Sequence, residues 1–113
     1  MNNLKDIRGV SFQHVPDNCS STGNYMVIFI DRNKAKVSRD EVYKYMNQND
    51  IQTKKYFYPA LHMQRAYKKY RKKYQGILPV AEKAATEGLA LPLYSHIDKR
   101  IVMKVCDTLK EIL

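Results

Sequence analysis

The apolar positions fall into short runs whose period changes along the chain. Tyr25 to Ile30 reads YMVIFI, a continuous apolar run of aromatic and β-branched side chains that predicts a strand covered on both faces, with partial burial of one face as the alternative. Asp31, Arg32 and Asn33 then predict a turn. Helical spacing follows, with Val42, Tyr45 and Met46 on one stripe. Ser38 and Glu41 stand at the two positions of a capping box, and Val37 and Val42 at those of a hydrophobic staple. The polar stretch from Asn47 to Asp50 ends this helix. Ile51 to Tyr58 predicts a second strand closed by Pro59, which has no amide to donate to a ladder. Gln64 to Tyr74 returns to helical spacing, with Ala66, Tyr67, Tyr70 and Tyr74 on one side, and is broken at Gly76–Pro79. Ala81 to Glu87 predicts a short helix stopped by Gly88. Leu89 to Tyr94 contains Pro92 and predicts a short edge strand or an extended loop. In the last helix, capped by Asp98, Ile101, Val105, Leu109 and Ile112 form an inward stripe widened by Val102, Cys106 and Leu113. Upstream, Met1 to Arg8 predicts a short helix or the tail of a longer one, Gly9 to Val15 alternates weakly, and Pro16 to Asn24 reads as a loop. The alternation of strands and helices implies an α/β (α+β) two-layer sandwich, a short sheet with helices against one face.

A length of 113 residues suits one domain with one modest core. The charge is concentrated: of 20 Lys+Arg and 11 Asp+Glu, the stretch 54–74 holds eight bases and no acid, leaving twelve bases against eleven acids elsewhere. An excess confined to one segment has the form of an electrostatic footprint. It has the same form in an exposed lysine-rich helix, or in a face that an acidic partner covers. No apolar run reaches the length of a membrane span. Lys5, Asp6 and Arg8 interrupt the N-terminus where a secretory signal needs an apolar core. Two cysteines, Cys19 and Cys106, build no disulfide framework, and a reduced cytoplasmic setting is the expectation.

Candidate chemistry is sparse. His14, His62 and His96 are far apart and offer no metal-ligand spacing. Cys106 lies on the apolar side of the last helix, as a small core residue does. No phosphate-binding loop or dinucleotide fingerprint is present. His62 is different: it follows Pro59-Ala60-Leu61 at the exit of a predicted strand, where groups are commonly presented to ligands. An imidazole there suits an anionic or hydroxyl-bearing ligand; the plain alternative is a loop histidine bonded to backbone. Tyr67, Tyr70 and Tyr74 read as packing rather than base stacking, because helical spacing already accounts for them. Lys55, Lys68, Lys69, Arg71, Lys72 and Lys73 are possible anion contacts, with a solvated face as the competing reading.

Several ordered phrases change the picture. DIQTKKYFYPALHMQRAY (50–67) followed by LPVAEKAATEGLALPLY (78–94) closely resembles the C-terminal region of the DegT/DnrJ/StrS-type sugar aminotransferases. That family commonly carries a G-I-x-T-x-x-x-Y-x-P-L-H phrase, a Q-x-x-Y phrase, then P-V-A-E and L-x-L-P-L before a final helix. The counterparts are Ile51, Thr53, Tyr58, Pro59, Leu61 and His62, then Gln64 and Tyr67, then Pro79 to Glu82 and Leu89 to Leu93. Asn24 to Phe29 and the Ser38–Glu41 helix start resemble the segment just upstream. Asp50 replaces the usual glycine, and Ala60 stands where a second proline or the leucine is frequent.

The resemblance implies the small C-terminal domain of a fold-type-I enzyme, with residues 1–24 as lead-in and loop and 25–113 as the domain itself. Enzymes of this kind use pyridoxal phosphate (PLP) to pass an amino group, commonly from glutamate, to a nucleotide-linked keto sugar, at a site near a homodimer interface. Their Schiff-base lysine, the acidic partner of the pyridine nitrogen and most of the phosphate cup belong to a large domain with no counterpart in these 113 residues. The expectation is therefore a substrate-side domain, without PLP, catalytic residue or metal of its own, that works with a large domain in cis or separately encoded. His62, then Tyr58, are the implied substrate contacts. A basic nucleic-acid module using 54–74, and a structural subunit completing a split enzyme, are the alternatives.

Overall fold

The YMVIFI run folds as β2, Met26–Ile30, and alternation along it sorts the side chains. Ile28 and Ile30 are buried on one face, while Val27 and Phe29 point to the other. A computed structural model describes residues 2–113. Its sheet has four antiparallel strands in the order β1-β2-β4-β3, with β1 at Val10–Phe12, β3 at Lys54–Lys55 and β4 at Gly88–Leu91. The register sets Ile28 opposite both Phe12 and Leu89, and Met26 opposite Leu91. The lead-in segment thus supplies an edge strand, β1.

Helix α1 (Arg32–Ala35) is a single turn at the place of the predicted turn, with Asp31 accepting the Asn33 amide. It ends where Lys36 takes a left-handed conformation. Gly9, at φ 85°, passes so close to α1 that a Cβ there would lie 2.5 Å from the Ala35 nitrogen, so only glycine fits. Helix α2 (Arg39–Gln48) starts with both halves of the capping box: the Glu41 amide donates to Ser38 Oγ at 3.2 Å, and the Ser38 amide donates to Glu41 Oε2 at 2.7 Å. Val42 and Met46 are completely buried. With Val105, Cys106 and Leu109 of α5 (Lys99–Ile112), they pack on Ile28, Ile30, Leu89 and Leu91 to form the two-layer core. Each of the Val, Met, Ile and Leu side chains among these contributes about 1.5–3 kcal/mol by leaving water.

Four expectations are corrected. First, β4 is an interior strand between β2 and β3, and all four of its residues are buried. Pro92 does not prevent this, because it stands just beyond the last paired residue and removes no ladder bond. Second, the strand predicted over Ile51–Tyr58 pairs only at Lys54–Lys55, since the chain turns at Tyr56 before Pro59 is reached. Third, the Gln64–Tyr74 helix is a 3₁₀ turn, Arg65–Tyr67, followed by α3, Lys68–Tyr74. Fourth, the inward stripe of α5 begins at Val105: Ile101 and Val102 are exposed. Helix α4 (Pro79–Glu87) lies toward the second face of the sheet, beside Val27 and Phe29. No helix among the described residues is long and apolar enough to cross a membrane.

Candidate functional site

Between β3 and the 3₁₀ turn that opens α3, the chain makes one turn and a further 3₁₀ segment, Leu61–Met63. The Met63 amide donates to the Ala60 carbonyl at 2.8 Å, and Gln64 Nε2 reaches the Pro59 carbonyl at 3.3 Å, so the connection is tied to itself. Its side chains divide sharply. Phe57, Tyr58 and Leu61 are 62, 52 and 63% exposed, whereas His62 is 8% exposed. The connection therefore offers large apolar surface to the outside while one imidazole is turned inward.

His62 Nε2 lies 2.9 Å from Oε1 of Glu82 in the first turn of α4. The same Oε1 accepts the Gly76 amide at 2.7 Å, at the bend that leads from α3 to α4. The Gly76 amide first, and the contact with the His62 ring second, hold the Glu82 carboxyl below its ordinary range. Around the ring, Leu61, Tyr67, Tyr70, Tyr74, Leu78 and Ala81 line an open groove of about 630 Å³. The tyrosine stripe forms one wall of this groove rather than a closed core; Tyr67 and Tyr70 keep much of their surface in solvent.

Tyr58 is placed elsewhere. Its ring lies under the Arg39 guanidinium, at 4.9 Å, and under Lys55 Nζ, at 5.8 Å. Arg39, 2% exposed, donates through Nη1 to the carbonyls of Ala85 and Gly88, at 3.2 and 2.9 Å. It thereby pins the α4–β4 junction to the start of α2. Asp40 bridges Arg39 Nε, at 2.6 Å, and Lys55 Nζ, at 2.9 Å. The Lys55 ammonium, then Arg39, depress the Asp40 carboxyl pKa. Register explains the meeting: Lys55 is opposite Leu89, so its side chain leaves the sheet on the α2 face.

The structure therefore separates the sequence candidates into three places. His62 belongs to the α3–α4 groove. Tyr58 and Lys55 join Arg39 and Asp40 beside α2. Lys68, Lys69, Arg71, Lys72 and Lys73 are all exposed on α3, where Lys69 and Lys73 lie 4.9 and 5.3 Å over the rings of Tyr70 and Tyr74. Among the described residues none of these five pairs with a carboxylate, in contrast to Lys55. Arg39 and Glu82 emerge only from the fold. Their partners stand 46 and 20 residues away in sequence, and no local spacing marks them.

One face of the sheet is thus closed by helices, while the second face is half open beside an exposed apolar connection. The chain belongs to the DegT/DnrJ/EryC1/StrS aminotransferase family, whose sequence profile matches residues 1–110. It is 32% identical over 104 residues to the Escherichia coli dTDP-4-amino-4,6-dideoxy-D-glucose transaminase, covering 92% of this chain and 28% of that protein. The Shigella dysenteriae protein of the same name is 28% identical over 109 residues, covering 96% of this chain and 29% of its own. Among solved structures, DesI in the presence of its TDP-sugar product superposes with a TM-score of 0.84 at 25% identity, covering 97% of this chain and 27% of that one. The 113 residues thus span about a quarter to a third of the relatives they match.

Proposed function

We propose that this chain is the substrate-side small domain of a PLP-dependent nucleotide-sugar aminotransferase, acting with a large cofactor-bearing domain in cis or separately encoded. The observation that carries the reading is the restricted coverage: a family match along nearly the whole chain that occupies only 28% of the E. coli relative. The exposed connection at 57–61 agrees with it, since Phe57, Tyr58 and Leu61 gain by burial against another surface. His62 is the foremost substrate contact and Tyr58 the second. A nucleotide sugar is the ligand class, and a homodimer of the intact enzyme the assembly.

The lysines of this chain do not fit the group that bonds PLP. Lys55 Nζ is held by Asp40 at 2.9 Å over two tyrosine rings, and the other described lysines are exposed. A Schiff-base lysine also needs a phosphate site and an acid for the pyridine nitrogen. PLP, which supplies the electron sink for amino transfer when bound, is therefore assigned to the large domain. The nucleic-acid alternative has only the charge of α3 in its favour, because the adjacent tyrosines line the groove with Leu61, Leu78 and Ala81.

Absorbance titration with PLP tests this reading, using the chain alone and the chain mixed with the E. coli relative lacking its matching stretch. Alone, the chain gives no saturable Schiff-base band. In the mixture a complex forms and PLP-dependent amino transfer appears. A saturable band in the chain alone, abolished by one Lys substitution, overturns the proposal.

A further inference from the structure

We propose that Glu82 is a positioning residue that holds neutral His62 as the Nε2–H tautomer, so that the groove presents Nδ1 as an acceptor for a ligand O–H or N–H group. The inference rests on His62 meeting a substrate, but the ring geometry on which it stands is independent of that role.

The argument begins with hydrogen-bond inventory. An ionised carboxylate only accepts, so a ring nitrogen 2.9 Å from Glu82 Oε1 must carry the proton of that bond. Oε1 also accepts the Gly76 amide, which has no choice but to donate. That fixed donor is the first cause of the lowered Glu82 pKa and favours the ionised carboxylate whichever tautomer the ring takes. Its place in the first turn of α4, where amides lack intrahelical partners, favours the same charge state. In a neutral imidazole one nitrogen donates and the other accepts; with Nε2 committed, the lone pair is on Nδ1. That atom has no protein partner among the described residues and is not among the fully buried atoms left unpaired, and the His62 side chain lines the groove.

The surroundings define what it meets there. The other groove walls are Leu61, Leu78, Ala81 and the rings of Tyr67, Tyr70 and Tyr74. No lysine or arginine lines the groove beside the imidazole. In the neutral ring, Nδ1 accepts from a hydroxyl or from an amine bearing a proton and donates nothing to a phosphate or carboxylate oxygen. The α3 cations remain on the outer surface for any anionic part of a ligand. Glu82 thus selects which end of a polar ligand His62 receives. The Gly76 bond makes that selection depend on the bend between α3 and α4 staying closed.

Nitrogen-15 NMR of the labelled chain at alkaline pH, with long-range ring correlations assigned by the missing signals of His62→Asn, reads the tautomer without any ligand. The expected spectrum has Nε2 in the protonated range and Nδ1 in the unprotonated range. In Glu82→Ala the two signals move toward each other as the tautomers mix. Glu82→Gln keeps an oxygen for the Gly76 amide and hence the bend, yet loses the charge, and a smaller movement in the same direction is expected. A wild-type ring protonated on Nδ1 overturns the inference, as does a Glu82→Gln spectrum identical to wild type. Either result leaves the docking of a large domain untouched, so the two readings fail separately.

Discussion

Carboxylates carry most of the polar organisation at the residue scale. Glu82 joins three pieces of chain through one oxygen, and Asp40 joins Arg39 to Lys55. Both carboxyls have pKa values below their ordinary 4.5 and 3.8. A depressed carboxyl stabilises the fold at pH values above its unfolded pKa, and the contribution is lost as pH falls through the folded value. Urea unfolding as a function of pH therefore shows wild-type stability declining from about pH 5 downward, and a shallower decline in Glu82→Gln, which has no proton to take up there. Parallel curves for the two proteins would contradict the assignment of Glu82 as an ionised clasp. None of this is legible in the sequence. The sequence phrase containing Glu82 marked a resemblance, but a contact across 20 residues depends on how α3 and α4 meet.

Elements whose determinants are local were legible, and those fixed by distant partners were not. The Ser38–Glu41 box lies within four residues and forms as its side chains require. Ser38→Ala removes the acceptor of the Glu41 amide, and chemical denaturation should show a loss of about 1 kcal/mol; an unchanged midpoint would mean that α2 is held by packing alone. β2 was equally plain from its apolar run. β4 was not, because Pro92 suggested an edge and only the pairing of Leu89 with both Ile28 and Lys55 reveals an interior strand. The first turn of α5 has the apolar spacing of a core stripe, yet Ile101 and Val102 are exposed. Spacing shows that a face is apolar and cannot say whose surface covers it. The small-sandwich architecture followed from the order of elements; the place of α4 beside the second face did not.

For the whole molecule, the covered side of the sheet is complete and the other side is half finished. Ile28, Ile30, Leu89 and Leu91 are enclosed by α2 and α5. Val27 and Phe29 open into a groove bordered by Phe57, Leu61 and Ala84. That asymmetry, set beside a family match covering 28% of the E. coli relative, is what the proposed docking to a large domain is argued from. The charge of α3 does not compete with this account, because its five cations project from an exposed helix outside that groove. Hydrogen exchange of the chain, with and without the E. coli relative lacking its matching stretch, tests the account most directly. Protection that appears on mixing at residues 57–63 and along the first turn of α4 is the predicted result. Protection confined to α3, or none in a mixture that demonstrably forms a complex, would contradict it.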